Sequence, residues 1–522
     1  MHMAMLTVPM DVKKVRRCRE LAAAVADDVQ RYIDGHTSVG VERTILRAYG
    51  VDGVDDQGAP LVNLVVDRYA KAGLLGRGIS FFLGRALLAG AKDLQDAAER
   101  LAYGPELDRG ETGGSGSDAK AVLAVLDDHT ERAIERIDRA RDERETNKVR
   151  SKPGGSPLKY VIVATGNIYD DALQAKAAAY AGADIVAVIR ATAQSLLDYV
   201  PQGATTEGYG GTFATQENFK IIRRATDEAA LDYGRYIHQT NYSSGLCMAE
   251  IAWMGAVERL DMLLNDAMYG ILFRDINPCR NFVDQYVARR IIARSGIVIN
   301  TGEDNYLTTA DAVEKAHTVL ASQFVNEAFA KHAGVKDEQM GLGHAYEIDP
   351  SIENSFLLEL AQAQLIRQVF PTHPIKWMPP TKFKTGDIFQ SHVHDAMFSL
   401  VGVATHQSIE LLGMFSEAVH NPMLMDRYLS LKATKYVFNT CRALGDEISI
   451  KPDGIMAKRA EQVLDEALEL LEEVEGETIW KAIERGAFAD VKRTRTGGKG
   501  YAGVFERSND YVNPILTALE AS

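Results

Sequence analysis

Polar side chains recur in this sequence where apolar, strand-like runs end. Arg190 and Ser195 follow the run DIVAVI. The other residues of this kind, at strand ends or in a turn region, are Asn241, Ser243, Ser244, Tyr269, Arg274, Asp304, Asn305 and Lys376. Guanidinium groups, hydroxyls and the N–H groups of helix N-termini all donate hydrogen bonds to phosphate. Taken singly, Arg190 could equally pair with a carboxylate and Ser195 could simply cap a helix, but the repetition favours one shared anion-binding site.

Two shorter motifs indicate less specific chemistry. The stretch GKGYAG, residues 498–503, matches the glycine pattern of a dinucleotide-binding loop, but no strand precedes it, so we interpret it as a flexible loop. The stretch HVHD, residues 392–395, spaces two histidines as in some barrel enzymes that hold zinc. His392 and His394 therefore leave a metal-dependent barrel hydrolase open as an alternative to histidines that lie in a core or beside a cofactor.

Strands and helices must alternate if these strand ends are to meet. Beyond Ser156, β-rich runs such as KYVIVATG and DIVAVIR alternate with helical stretches, two of them near 216–233 and 281–294. Five or more such strands fit a (β/α)₈ TIM-type barrel, with an open doubly wound sheet as the alternative. In a barrel, functional side chains come from the C-terminal ends of the strands and the loops after them.

Helical periodicity flanks the predicted barrel. Apolar residues recur every three or four positions over 11–34, and the apolar stripe of KRAEQVLDEALELLEEVEG favours a helix packed on this chain's own core over a partner-binding helix. The stretch SKPGGSP marks a boundary before the barrel. We predict three regions: a mainly helical accessory region over 1–150, a barrel carrying the site over 151–415, and a helical extension with a glycine-rich tail over 416–522.

Composition disfavours several classes of protein. The chain has 58 Lys and Arg against 72 Asp and Glu, a net charge of −14, which would repel nucleic acids and anionic membrane surfaces. No apolar run approaches the length of a membrane span. Four cysteines lie far apart without disulfide or metal-ligand spacing. We therefore expect a cytoplasmic protein that binds small molecules, with no nucleic-acid or membrane partner and no structural metal.

Long stretches of the chain resemble the large, or α, subunits of the lysine 5,6-aminomutase family. They are IRATAQSLLDYVPQGATTEGYGGTFATQENF, HQTNYSSGLCMAEIAWMGA, NDAMYGILFRDINPCRNFVDQ, INTGEDNYLTTADAV, KWMPPTKFKTGDIFQSHVHDAMF and the tail GGKGYAGV. The resemblance covers nearly the whole chain. It implies a barrel with pyridoxal phosphate at its mouth and adenosylcobalamin as second cofactor. The implied reaction is a radical isomerisation in lysine degradation that moves the terminal amino group of D-lysine or L-β-lysine from C6 to C5.

The resemblance also implies roles for individual residues. The residues implied to lie along pyridoxal phosphate are Arg190, Ala191, Thr192, Ala193, Gln194, Ser195, Ser244, Tyr269, Arg274, Asp304 and Asn305. Tyr269 would pack on the pyridine ring, Arg274 would be a second cationic contact beside Arg190, and Asn305 would donate or accept a hydrogen bond. Lys376 and His394 are expected near the substrate or cofactor, and with Tyr269 they are the catalytic candidates.

The resemblance finally implies a partner. A smaller β subunit would supply the Rossmann domain that binds cobalamin and the lysine that forms the Schiff base with pyridoxal phosphate, in an assembly with two copies of each subunit. This chain would then be half of an enzyme. A scaffold subunit without catalytic function stays open as a further alternative.

Overall fold

The computed structural model describes residues 6–108, 115–152, 154–189, 193–243, 245–309 and 312–521. Its N-terminal part is helical, as predicted. The elements are α1 (Val12–Asp34), strand β1 (His36–Ser38), α2 (Val39–Ala48), α3 (Leu61–Lys71), α4 (Ile79–Leu88), α5 (Leu94–Tyr103) and α6 (Ser115–Arg150). Asp11 caps α1, because its side chain accepts a hydrogen bond from the Lys13 backbone N–H at the start of that helix.

The predicted parallel barrel is confirmed. Its strands are β2 (Leu158–Ile162), β3 (Ile185–Ile189), β4 (His238–Tyr242), β5 (Met262–Leu264), β6 (Val298–Asn300), β7 (Met340–Gly341), β8 (Gly343–Ala345), β9 (Lys376–Met378) and β10 (Ile409–Leu411). They pair in parallel in the order β7-β6-β5-β4-β3-β2-β10-β9-β8. Strands β7 and β8 lie at the two edges of this order and only Leu342 separates them in the chain, so the sheet curls into a ring. The alternative of an open doubly wound sheet is therefore wrong.

Helices surround the barrel. Those between its strands are α7 (Ile168–Ala181), α8 (Gln216–Tyr233), α9 (Met248–Val257), α10 (Tyr269–Arg274), α11 (Pro278–Ser295), α12 (Tyr306–Thr309), α13 (Ala312–His332), α14 (Ser355–Val369) and α15 (Ile388–Ala404). Their ends follow sequence signals. The Asn277 side chain caps the start of α11, and Pro278 is the first residue of that helix. Gly296 caps the other end with a φ of +69°, which glycine adopts without strain.

The last part of the chain completes the ring of helices and covers it. Its elements are α16 (Leu424–Thr440), α17 (Leu444–Glu447), α18 (Ile455–Glu477), α19 (Ile479–Arg485), strand β11 (Val504–Glu506) and α20 (Pro514–Glu520). Helix α16 packs between α15 and α7 in the ring, and α18 packs on α1, α13 and α14. The apolar stripe of α18 is buried in this chain's core, as predicted. The region boundaries at 150 and 415 remain predictions.

Two further features concern the chain as a whole. Strand β11 pairs antiparallel with β1, so the C-terminal tail is fastened to the N-terminal region. Among the described residues, no helix combines the length and apolar content that crossing a membrane requires.

Candidate functional site

The C-terminal ends of β4, β5 and β6 form one side of the barrel mouth. Inside the barrel, Asn300 Nδ2 in β6 donates a hydrogen bond to Thr240 Oγ1 in β4 at 3.2 Å. The Tyr160 hydroxyl in β2 donates to that of Tyr242 in β4 at 3.4 Å. Polar side chains of β2, β4 and β6 thus contact one another inside the barrel, and the loops after the strands carry most of the predicted site residues.

Tyr269 and Arg274 lie together after β5. Arg274 Nη2 donates a hydrogen bond to the Tyr269 hydroxyl at 2.7 Å, and its guanidinium carbon lies 5.0 Å from the centre of the tyrosine ring. The ring is buried and lies directly against Gly302 of the loop after β6. A Cβ at Gly302 would come within 2.6 Å of Tyr269 Cδ2, so only glycine permits this approach.

Asp266 fixes these two loops relative to each other. Its Oδ1 accepts hydrogen bonds from the backbone N–H groups of Met268 at 2.8 Å and Tyr269 at 2.6 Å. Its Oδ2 accepts from the Gly302 N–H at 3.0 Å and from Asn326 Nδ2 at 2.9 Å. One buried carboxylate therefore positions both the tyrosine and the glycine against which its ring lies.

A second buried carboxyl lies beside Asp266. Glu303 Oε1 accepts a hydrogen bond from the same Asn326 Nδ2 at 2.7 Å, and its Oε2 accepts from the Gly343 N–H at 3.1 Å. Burial, reinforced by the charge of Asp266, raises the pKa of Glu303 well above its usual range. The shift favours the protonated form of Glu303.

Asp304 and Lys376 form a buried ion pair across the mouth. Lys376 Nζ lies 2.6 Å from Asp304 Oδ2 and donates to the Thr301 carbonyl at 3.1 Å. Burial favours the uncharged form of Lys376, but the Asp304 carboxylate outweighs it and the pKa of Lys376 is raised. Burial also raises the pKa of Asp304, although Lys376 opposes this shift. Asn305 is adjacent, and its Nδ2 donates to Asp304 Oδ1 at 2.8 Å.

The loop after β3 contributes Ser195, Gln194 and Ala193 from a short 3-10 turn. The Ser195 backbone is so close to Gly245 that a Cβ there would lie 2.5 Å from Ser195 Cα. Gln194 is buried and bridges to Ala214, donating to its carbonyl at 2.8 Å and accepting from its N–H at 2.5 Å. Arg190, Ala191, Thr192 and Ser244 lie outside the described residues.

An open cavity of about 530 Å³ connects the loops after β3 and β5. Its lining residues are Leu196, Tyr209, Gly210, Leu272, Phe273, Arg274, Asp275, Arg493 and Lys499. The last two come from the C-terminal tail. The predicted flexible loop GKGYAG is therefore docked on the barrel mouth, where the Lys499 N–H donates to the Asp275 carbonyl at 2.6 Å.

His392 and His394 do not converge on a metal ion. They lie two positions apart on α15, which places them roughly 200° apart around the helix axis, and His392 is exposed whereas His394 is buried. His394 packs edge-on against Tyr346, with ring centres 5.3 Å apart. Burial, with a smaller effect of Lys384, lowers the pKa of His394 to about 4. No contact between described residues joins His394 to the Tyr269–Asp304 group.

The described residues offer one other arrangement of potential metal ligands. Atoms of Glu327, Asp337 and His373 lie within 4.8 Å of one another. This group precedes β7 and β9, at the opposite end of the barrel from the mouth. Lys331 Nζ already lies 2.7 Å from Glu327 Oε1, so a cation from the chain itself neutralises these oxygens.

Comparison with known proteins identifies the family. The family model described as "D-Lysine 5,6-aminomutase TIM-barrel domain of alpha subunit" matches residues 8–518. A lysine 5,6-aminomutase alpha subunit from Fusobacterium nucleatum subsp. nucleatum is 54% identical over 505 residues, which cover 96% of each chain. A namesake from Acetoanaerobium sticklandii is 50% identical over 510 residues, which cover 97% of each chain. This chain belongs to the lysine 5,6-aminomutase alpha-subunit family.

A more distant relative widens the comparison. The D-ornithine 4,5-aminomutase subunit beta of Acetoanaerobium sticklandii is 26% identical over 376 residues, which cover 70% of this chain but only half of that one. Aminomutases, to which the lysine 5,6-aminomutase alpha-subunit family belongs, are isomerases. Together with the separated histidines, membership of this family disfavours the metal-dependent hydrolase.

The sequence did not reveal every residue that shapes this candidate site. Asp266 was missed because β5 has only three residues and was not predicted, so Asp266 was not seen to follow a strand end. The sequence signal that could have indicated Asp266 was the polar dipeptide Asn265-Asp266 directly after the apolar pair Leu263-Leu264. Gly302 and the tail residues Arg493 and Lys499 carry no local signal, because their role depends on which loops meet.

Proposed function

We propose that this chain is the large subunit of a lysine 5,6-aminomutase and binds pyridoxal phosphate at the barrel mouth. The observation that carries the proposal is the grouping of Tyr269 and Arg274 on α10 with the ion pair between Asp304, after β6, and Lys376, the first residue of β9. A planar, anionic cofactor needs a flat apolar face, cations and hydrogen-bond donors. The tyrosine ring held by Arg274, and the Asn305 amide, offer groups of these kinds, and the cavity beside them offers space.

In this proposal, pyridoxal phosphate supplies electron delocalisation for the migrating nitrogen, and adenosylcobalamin supplies the radical that abstracts hydrogen. The chain's own residues bind and orient. Arg274 holds the Tyr269 ring in place for packing against the cofactor. Arg190, Ala191, Thr192, Ala193, Gln194, Ser195 and Ser244 are proposed to lie along it, and Asp304 and Asn305 to provide its polar contacts.

Lys376 holds a proton at Nζ. Its ammonium group has three N–H bonds, and Asp304 Oδ2 and the Thr301 carbonyl account for two of them. We propose that the third is directed at an oxygen atom of a ligand in the mouth. Because Asp304 stabilises the charged form, we propose that Lys376 acts as a fixed hydrogen-bond donor rather than as a base.

We propose that aromatic side chains limit the access of water to the same region. The Tyr269 and Phe273 rings lie 5.2 Å apart, and those of Phe273 and Tyr306 lie 5.8 Å apart. A dry wall of this kind protects reactive intermediates from side reactions with solvent.

We further propose that a smaller β subunit provides the cobalamin-binding domain and the lysine that holds pyridoxal phosphate, in an α2β2 assembly. The substrate is D-lysine or L-β-lysine, and the amino group moves from C6 to C5. A cytoplasmic location fits the cysteines, since all four are unpaired.

The test is turnover by the two co-expressed subunits with both cofactors, with the products separated by chromatography and identified by nuclear magnetic resonance. We expect the isomer that carries its amino group on C5. A scaffold subunit would show none, even with the cofactors bound to its partner.

A further inference from the structure

The C-terminal tail, which carries Arg493 and Lys499, forms one wall of the cavity at the barrel mouth. The Lys499 N–H donates to the Asp275 carbonyl at 2.6 Å, and the Asn277 N–H donates to the Lys499 carbonyl at 2.9 Å. The Asn277 side chain donates to the carbonyls of Arg495 at 2.9 Å and Gly497 at 2.7 Å. The tail is thus bound through its backbone to the loop between α10 and α11.

Two glycines permit this docking. Gly498 has a φ of +80°, and a Cβ there would come within 2.9 Å of the Asn277 nitrogen and the Asp275 oxygen. Gly500 has a φ of +89°, and a Cβ there would come within 2.6 Å of Leu246 Cδ2. The glycine pattern of this tail therefore serves close approach of the backbone to the barrel mouth.

The docked tail makes the cavity positive. Among the described residues that line it, Arg274, Arg493 and Lys499 are cationic and Asp275 is the one carboxylate. Arg493 Nη1 pairs with Asp275 Oδ1 at 2.6 Å, which leaves an excess of two positive charges. In a chain with a net charge of −14, this concentration of cations indicates an anionic ligand.

The remaining walls are apolar, and the cavity adjoins the proposed cofactor site. Leu196, Leu272 and Phe273 line it, and Arg274 joins it to the Tyr269 hydroxyl. A lysine-type substrate that reacts at its terminal amine carries a methylene chain and then a carboxylate away from the reacting end. Resting on the function proposed above, we propose that Arg493 and Lys499 bind the carboxylate of the amino-acid substrate.

The experiment compares two ligands in the co-expressed complex. D-lysine has the carboxylate, whereas 1,5-diaminopentane has the same chain without it. The dissociation constant of each is measured from the absorbance change of bound pyridoxal phosphate. Lys499→Gln and Arg493→Gln should each weaken D-lysine roughly tenfold or more, the usual effect of losing a hydrogen bond to a charged group. Binding of 1,5-diaminopentane should change less than twofold.

The control is Lys492→Gln, which removes an exposed lysine of the same tail that does not line the cavity. Because Arg493 pairs with Asp275, its variant could lose structure. Lys499, whose side chain is exposed, gives the decisive variant.

Equal weakening of both ligands, or unchanged affinity for D-lysine, would overturn the proposal. So would weaker binding of pyridoxal phosphate with unchanged affinity for D-lysine, since the cavity would then serve the cofactor phosphate. If the wild-type complex binds no pyridoxal phosphate, the proposed function itself fails, and this inference fails with it.

Discussion

At the residue scale, Tyr269 and Arg274 depend on each other through one hydrogen bond and one ring contact. Tyr269→Ala removes the ring face and Arg274→Ala removes the cation that holds it. Each variant should weaken binding of pyridoxal phosphate roughly tenfold, given the usual energies of aromatic packing and of charged hydrogen bonds. Titration of the cofactor by absorbance measures the affinity, and circular dichroism measures the fold.

Tyr436 on α16 offers a matched control, because its side chain is 71% exposed and α16 carries none of the proposed cofactor-binding residues. Tyr436→Ala should leave cofactor affinity unchanged. Unchanged cofactor affinity in both site variants would count against the proposed site.

Because Glu410 in β10 is buried, we expect the stability of the folded chain to depend on pH. Glu410 is fully buried and accepts a hydrogen bond from Ser399 Oγ at 2.6 Å. Burial raises the pKa of Glu410 to about 8. The native chain then keeps a proton that the unfolded chain releases above about pH 4.3, so the stability due to this group is lost as pH rises through about 8.

Glu410→Gln keeps the size of the side chain but cannot ionise. Its melting temperature minus that of the wild type should rise by several °C between about pH 5 and pH 8 and then level off. Scanning calorimetry across this range measures the difference. The exposed Glu461→Gln should show no such trend, and a constant difference for Glu410→Gln would show that the group does not titrate in this window.

At the scale of elements, the approach of the loop after β6 to α10 decides where the Tyr269 ring lies. Gly302→Ala would place a Cβ 2.6 Å from Tyr269 Cδ2 and 3.1 Å from its Cγ, so the ring must move. We expect pyridoxal phosphate to bind roughly tenfold more weakly, since aromatic packing on the cofactor would be lost. The same absorbance titration measures this.

Gly386 gives the control, because it lies in the loop after β9 and a Cβ there would meet nothing within 4 Å. Gly386→Ala should retain wild-type affinity. If the two alanine variants bind the cofactor equally well, the contact between Gly302 and Tyr269 does not shape the site.

The elements also show what the sequence could predict. Helices α1, α8 and α18 were predicted because caps and apolar periodicity are local signals. Barrel strands β5, β7, β8 and β10 were missed, because two or three residues are too few to show a period. The grouping of Tyr269 with Arg274 followed from family resemblance, whereas the separation of His392 from His394 required knowing that both lie on a helix.

The same limit applies to the tail. Its glycine pattern was visible in the sequence, but its position against the loop after α10 depends on contacts between residues more than 200 positions apart, such as Asn277 with Arg495 and Gly497. A loop without a preceding strand gives no local indication of such a partner.

At the scale of the whole molecule, we propose that this chain is half of an enzyme. In this proposal, the barrel mouth offers a ring face, cations and hydrogen-bond donors to pyridoxal phosphate. Lys376, a buried lysine of the barrel, is held charged by Asp304 and is therefore a poor nucleophile. The lysine that links to the cofactor should then come from the partner subunit, and this chain alone should show no turnover.

The most direct measurement is to reduce mixtures of this chain and pyridoxal phosphate with borohydride, with and without the small subunit, and to locate the fixed cofactor by mass spectrometry. We expect a label on a lysine of the small subunit that depends on the presence of this chain. A label on Lys376, or on another lysine of this chain, would contradict the division of the site between two subunits.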